Sequence, residues 1–454
     1  MRRRSELLTG WGRTGPSRAT VARPRTADEL ALLLREAARP GGHGLIARGL
    51  GRSYGDAAQC AGGLVADCAE LEPGHRLDTA SGTVTASAGT SLDRLTRYLV
   101  PRGYFVPVTP GTRHVTVGGA VGADIHGKNH HVDSSFGAHV RSLTLVTPDG
   151  TAHRIGPDRD AELFWATVGG MGLTGVVTEA AFAVLPIETS RMRVDTDRTP
   201  DLDAALALMD ESDDRYRYTV CWIDLLARGR ALGRGVLTRA HHATRDELPP
   251  AARRAPLRFA PGAVAGVPRH VPPRLLNPLT VRAFNAAYHA RAPRVRRDEI
   301  QDMAGFFHPL DALRDWNRVY GPRGLVQYQF MVPFGEEGTL RRIAERLAER
   351  RAASFLAVLK RFGRGTPAPL SFPGPGWTLA LDLPAGLPGL AALLTGLDEL
   401  VLDAGGRIYL AKDSRAAAPA VHAMYPGLER WRRVRDRVDP DRVLVSDLSR
   451  RLGL

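Results

Sequence analysis

The 454-residue chain reads as an α+β protein, and three observations carry that reading. Its candidate strands are short, closely spaced and separated by turns, where a doubly wound sheet needs a crossover helix between parallel strands. Two glycine-rich segments each abut a strand, and a formal GxGxxG at Gly170 to Gly175 stands in the wrong context for a dinucleotide fold of the doubly wound type. That fingerprint leaves a strand and opens a helix. This one leaves a helix and opens the alternating run Val176 to Val184, so it is read as a turn close to a ligand.

In chain order, Thr26 and Glu29 form a T-x-x-E capping box, and Leu30, Leu33, Leu34 and Ala37 line one face of the helix that Pro40 stops. Strands follow at Gly44 to Ala47, Leu64 to Asp67, Arg76 to Thr79 and Val84 to Ala88, the last two joined by a Ser81-Gly82 turn. Ser91 caps a helix through Leu99. Phe105 to Val108 comes next, then the glycine-rich Val117 to His131, a strand at Leu143 to Thr147 and a helix near Ala161 to Thr167.

The pattern changes around Pro186. A helix at Leu202 to Met209 and a strand at Tyr216 to Ile223 open a second region, and strands return at Leu325 to Val332 and Leu379 to Leu383. Helices are predicted at Gly338 to Arg350 and Leu387 to Ala404. Residues 241–300, rich in Pro and Arg, read as an irregular, lid-like excursion.

Hydrophobic residues at 43% and charged residues at 24% are the balance of a folded soluble protein, long enough for two domains. The net charge of +14 raises nucleic acid as a partner, but the arginines are dispersed and not interleaved with stacking aromatics, so no nucleic-acid binding is expected. A non-enzymatic polyanion-binding protein stays only as a distant alternative. Of 62 basic residues, only Lys128, Lys360 and Lys412 are lysine. A guanidinium cannot supply a compact ammonium with an adjustable pKa, which marks these three for chemical work.

Cys60, Cys68 and Cys221 have no disulfide-framework or zinc spacing, and no metal is expected. The opening MRRRSELLTGWGRTGPS has no apolar run behind its charges, and no stretch reaches the roughly 18 apolar residues of a spanning helix. A cytoplasmic or peripherally membrane-associated location is the expectation.

The chemistry concentrates in three segments. GLGRSYGD, Gly49 to Asp56, follows a strand, and its backbone N–H groups can turn inward around a pyrophosphate with the Ser53 hydroxyl as a further donor. Pro110-Gly111-Thr112 with Thr116-Val117-Gly118-Gly119-Ala120 repeats that chemistry. DIHGKNHH, Asp124 to His131, packs three histidines, a lysine, an asparagine and an aspartate into one stretch, which suits the polar lining of a cofactor and substrate site. Metal binding and a solvated loop are its rivals.

These residues resemble the vanillyl-alcohol-oxidase superfamily of flavoproteins, and within it the decaprenylphosphoryl-β-D-ribose 2′-oxidase family of actinobacteria. The match extends through LTGWGRT (Leu8 to Thr14), ARGLGRSYGD (Ala47 to Asp56), PGTRHVTVGGA (Pro110 to Ala120) and DIHGKNHH. It continues in ELFWATVGGMGLTG (Glu162 to Gly175), WNRVYGPRGLVQYQF (Trp316 to Phe330), LSFPGPGW (Leu370 to Trp377) and YLAKDSR (Tyr409 to Arg415). About 186–300 matches poorly.

The resemblance implies a two-subdomain FAD-binding domain of the PCMH type over 1–187, an inserted substrate domain with an antiparallel sheet and flanking helices over 188–406, and a C-terminal segment, 407–454, returning to the FAD domain. It implies FAD contacts at Ala47, Arg48, Gly49, Leu50, Gly51, Arg52, Ser53, Tyr54, Gly55, Asp56 and Ala57. Gly111, Thr116, Val117, Gly118, Gly119, Ala123, Asp124, Ile125, His126, Val177 and Tyr409 complete that set. Many relatives tether the flavin through a histidine where Arg52 stands, so non-covalent FAD is expected.

His126 and Lys412 are the expected catalytic residues, and Lys128, Gln327, Gln329, Lys360 and Lys412 the substrate-binding ones. Strand-edge hydrogen bonding is the plainer role for the two glutamines. Where relatives carry a cysteine shortly after GPGW, this chain has Ala380. The implied reaction is FAD-dependent oxidation of the ribose 2′-hydroxyl of a polyprenylphosphoryl ribose, giving a keto sugar that a partner NAD-dependent keto-reductase converts to an arabinose donor. An alditol or aldonolactone oxidase of the same superfamily is the rival.

Overall fold

A computed structural model describes residues 3–72, 74–263, 265–268, 271 and 276–454. Its first sheet runs in the order Arg3–Leu8, Ser17–Ala22, Leu64–Asp67, Leu45–Arg48. Only the outer pair Arg3–Leu8 and Ser17–Ala22 is antiparallel; the other two pairings are parallel. The helix Ala27–Ala37 buries Leu30, Leu33 and Leu34 in a cluster with Leu45, Ala66 and Leu444. Its predicted capping box is half formed. Thr26 Oγ1 accepts the Glu29 N–H, but the Glu29 carboxylate reaches past Thr26 to the N–H of Arg25 (2.7 Å).

A second, wholly antiparallel sheet has the order His75–Asp78, Thr83–Ser87, Val176–Ala183, Val140–Val146, Ala152–Ile155. The predicted hairpin is there: Asp78 accepts from Ser81 Oγ and Ala80 N, and Gly82 turns the chain at φ +59°. The apolar segment Phe105 to Val108 enters a ladder only at its start, where Tyr104–Phe105 pairs with Leu185–Pro186. Val106 and Val108 are buried without a ladder.

The third sheet is eight-stranded, ordered Val295–Asp302, Arg191–Thr199, Gly235–His242, Tyr218–Ile223, Ala357–Phe362, Gly376–Pro384, Leu325–Pro333, Arg407–Ile408, each neighbouring pair antiparallel. Strand side chains alternate between faces. Leu359, Leu379 and Phe330 join Leu340, Ile343, Leu394 and Leu397 of the helices Glu337–Glu349 and Leu390–Asp403 in the core. Gln327, Gln329, Val358 and Ala380 therefore belong to the opposite face.

The expectation of an irregular 241–300 is corrected. Asn277 caps a fourteen-residue helix, Pro278–Arg291, and Val295–Asp302 is the edge strand of the large sheet. Composition hid both: the helix opens with Pro278, allowed at its first turn, and the edge strand is charged, as exposed edges are. Residues 264, 269–270 and 272–275 of that segment lie outside the described residues. Past Arg407 the chain returns to the first sheet, where Leu444 bridges Leu45 in parallel and Arg451 pairs with Asp56 and Asp413, both at 2.9 Å.

Candidate active site

The two glycine loops are one structure. A Cβ on Gly49 would lie 2.3 Å from Thr116 Oγ1, so only glycine lets the first loop pass against the second. The loops behave differently toward a ligand. Among the described residues, the backbone N–H groups of Gly49 to Ser53 have no partner within the chain, whereas Val117 N donates to Thr90 O, Gly118 N to Ala88 O and Gly119 N to Thr116 Oγ1. The two segments are thus not equivalent: among the described residues the first holds a continuous run of free donors, and the second leaves the N–H groups of Gly111 and Thr112 free while spending those of Val117 to Gly119. Gly111 leaves open space where a side chain would be.

Both loops line a cavity of about 1250 Å³, larger than the usual range for one small ligand. Most of the predicted contacts lie on its wall: Ala47 to Gly55, Ala57, Gly111, Thr116, Gly118, Gly119, Ala123, Ile125, His126, Val177 and Tyr409. Asp56, Val117 and Asp124 do not. Asp56 holds Arg451 of the returning tail (2.9 Å) and Val117 is fully buried core. Arg52, at the expected tether position, stacks on Trp11, 4.1 Å from the ring centre. Met171, Gly172 and Gly175 of the GMGLTG turn also reach the cavity.

DIHGKNHH divides its labour. Ile125, His126, Gly127 and Lys128 face the cavity; Asp124, Asn129, His130 and His131 are scaffold. The buried Asp124 carboxylate accepts from Ser135 Oγ, Gly137 N, Thr366 Oγ1 and Ser371 Oγ at 2.6–3.0 Å. Asn129 donates to Pro107 O and Asp133, and His130 Nδ1 accepts the Gly363 N–H. Among the described residues, no three His, Cys, Asp or Glu side chains are placed to hold a metal.

All three lysines of the chain, Lys128, Lys360 and Lys412, line this one cavity with His126, Gln327 and Gln329. His126 is the centre of a short array. The Gln329 amide lies 2.9 Å from its Nε2, Lys360 Nζ lies 3.1 Å from its Nδ1, and Phe362 and Tyr409 close on its ring. Burial, then the charge of Lys360, hold His126 well below the usual imidazole range. Burial pulls Lys360 down to about 7, helped by the charges of Lys128 and Lys412.

Lys412 Nζ lies 4.2 Å over the Tyr54 ring and is pulled down only to about 8, because the Asp382 carboxyl opposes its desolvation. Lys128, pulled to about 7 by burial alone, is turned onto Phe306, its ammonium donating to the carbonyl and lying 4.2 Å from the ring centre. Gln327 Nε2 donates to Asp382 Oδ1 at 2.6 Å, so the two glutamines part: Gln327 serves the carboxyl behind Lys412, and Gln329 serves His126. Asp382 itself was missed by sequence reading. It sits in the middle of an apolar strand, and only its neighbours reveal it.

Five adjacent free N–H groups, the open space at Gly111 and the cavity size fit a dinucleotide. The comparisons say which one. Residues 18–156 match the FAD binding domain family, and residues 388–452 match the D-arabinono-1,4-lactone oxidase family. The fold and site are those of an FAD-dependent oxidoreductase. A decaprenylphosphoryl-β-D-ribose oxidase from Mycolicibacterium smegmatis is 44% identical over 99% of this chain and 98% of its own length. An L-gulono-1,4-lactone dehydrogenase from Mycobacterium tuberculosis is 23% identical over 99% of both chains. A D-arabinono-1,4-lactone oxidase from Eremothecium gossypii is 28% identical over 36% of this chain and 31% of its own. This chain belongs to the decaprenylphosphoryl-β-D-ribose oxidase family.

Proposed function

We propose that the chain oxidises the 2′-hydroxyl of a polyprenylphosphoryl ribose to the ketone, with FAD held without a covalent bond in a domain formed by 1–187 and 407–454, and the sugar against 188–406. The observation that carries this is the convergence of His126 and all three lysines on the cavity that the free N–H loop lines. The name of the 44% identical relative supports the substrate. Arg52, which cannot form the histidine tether, supports the non-covalent mode.

When bound, FAD supplies the acceptor for the hydride that leaves C2′. The residues have to manage the hydroxyl proton and the charge. Burial and the Lys360 charge 3.1 Å away disfavour a proton on His126, and burial with the charges of Lys128 and Lys412 disfavours one on Lys360, so the pair is short of a proton and takes one from the hydroxyl. The Gln329 amide nitrogen, which also donates to Thr378 Oγ1, faces His126 Nε2 and holds the ring in place. Lys412, kept nearer its charged form by Asp382, holds positive charge where negative charge develops. Lys128 also suits the substrate phosphate as a point charge, and the Lys360 amine suits it as a hydrogen-bond donor.

The keto product calls for a partner NAD-dependent keto-reductase, and the lipid substrate for peripheral contact with a membrane. No helix among the described residues is long and apolar enough to cross one. Anaerobic titration tests the reading: polyprenylphosphoryl ribose should bleach the flavin absorbance. Bleaching by aldonolactones or free alditols alone would instead favour the lactone-oxidase reading that the 388–452 match suggests.

A further inference from the structure

The cavity extends well beyond the residues that handle the sugar and the cofactor. On the large sheet, Gln329 stands opposite Ala380, Ala380 opposite Val358, Val358 opposite Trp222, and Trp222 opposite Val236. All five line the cavity. They make a cross-strand row that leaves the His126 site at Gln329 and becomes wholly apolar over the next four strands, about 14 Å at about 4.8 Å per strand. Val358 lies two residues from Lys360 on the same strand, so the two side chains share a face.

A roof covers this row. In the helix Pro278–Arg291, Phe284, Ala287, Tyr288 and Arg291 line the cavity, which is the spacing of a single helical face. The adjoining stripe of the helix is clamped. Val281 and Asn285 are buried, and Asn285 donates to Asp224 Oδ1 at 2.8 Å. Tyr288 meets Trp222 edge-on at 4.7 Å, joining roof to floor. Of the nine large exposed apolar side chains among the described residues, three, Phe284, Tyr288 and Leu313, line this cavity.

We propose that the groove between the Trp222–Val236 row and the helix Pro278–Arg291 holds the first isoprene units of the substrate's polyprenyl chain, with the phosphate at Lys360. This rests on the substrate reading above and adds the site for the lipid. An extended apolar chain anchored at Lys360 passes directly onto Val358, and both floor and roof offer it branched and aromatic carbon. The row is short, so the groove grips only the start of the chain and recognition levels off after a few units.

The test uses the FAD-loaded enzyme and phosphoryl ribose carrying either two or seven isoprene units. Wild type should show at least about tenfold higher kcat/KM for the longer chain. The double variant Phe284→Ser, Tyr288→Ser should lose most of that preference, whereas Leu32→Ser, at an exposed apolar position on the helix Ala27–Ala37, should keep it. FAD content and melting temperature identify a variant that has failed to fold. A farnesyl phosphate bearing a diazirine on its second unit supplies an independent readout, with adducts expected in 218–223 or 278–291. An unchanged length preference in the double variant, or adducts scattered over the surface, overturns the groove. If neither ribose substrate bleaches the flavin, the substrate reading fails instead, and the diazirine adducts still decide the groove.

Discussion

Lys128, Lys360 and Lys412 share one cavity, yet their surroundings do not treat them alike. Lys360, with no carboxylate near enough to oppose burial, is drawn to about 7; Lys412, facing Asp382, stays at about 8. If oxidation needs Lys360 without its proton and Lys412 with one, kcat/KM rises as pH passes about 7 and falls as it passes about 8. The expected profile is a narrow bell, read from initial rates of flavin reduction. Lys360→Met should remove the rising limb. Asp382→Asn should move the falling limb to lower pH, since Asp382 is what raises Lys412. Lys412→Met should cost roughly 10²–10³ in rate. A flat profile in wild type would remove the proton roles assigned to both lysines.

Among the elements, the segment 124–131 shows how one polar motif can be half cavity wall and half joint. Asp124 sits at φ +40° and ties 135–137 to 366–371 through four accepted hydrogen bonds. That joint holds the adjacent His126 in place. Asp124→Ala strands four donors, three of them fully or nearly buried, and should destabilise the protein by at least about 3 kcal/mol in urea unfolding. Asp124→Asn keeps the shape and an oxygen acceptor and should cost less. A loss below about 1 kcal/mol in Asp124→Ala would mean that the carboxylate is not the joint. The helix Pro278–Arg291 teaches the converse lesson: its Arg- and Pro-rich surroundings concealed an element with a formed capping box and a buried Asn285.

For the whole molecule, the cavity is bounded by both the N-terminal sheets and the eight-stranded sheet, and the tail that carries Tyr409 and Lys412 returns to pair with Asp56. A ligand that bridges these parts stabilises the fold by mass action, by about 2.7 kcal/mol at a hundredfold excess over Kd. Added FAD should therefore raise the melting temperature in a concentration-dependent way, and acid or detergent should release all of the flavin into the supernatant. Flavin that stays with the precipitated protein would overturn the non-covalent mode.

Much of this site was legible because its signals are local. A glycine loop after a strand, a misplaced GxGxxG and the rarity of lysine each follow from residue chemistry within a few positions, and together they picked out a loop and three lysines that the structure brings to one cavity. Other features depend on partners remote in the chain. That Val117 to Gly119 spend their N–H groups internally, that Asp124 is a joint, that Asp382 sustains Lys412, and that Trp222 lies beneath Tyr288 were decided by strand register and by the return of the tail. Desolvation and charge coupling depend on what surrounds a group in space, and only the packed fold supplies those neighbours.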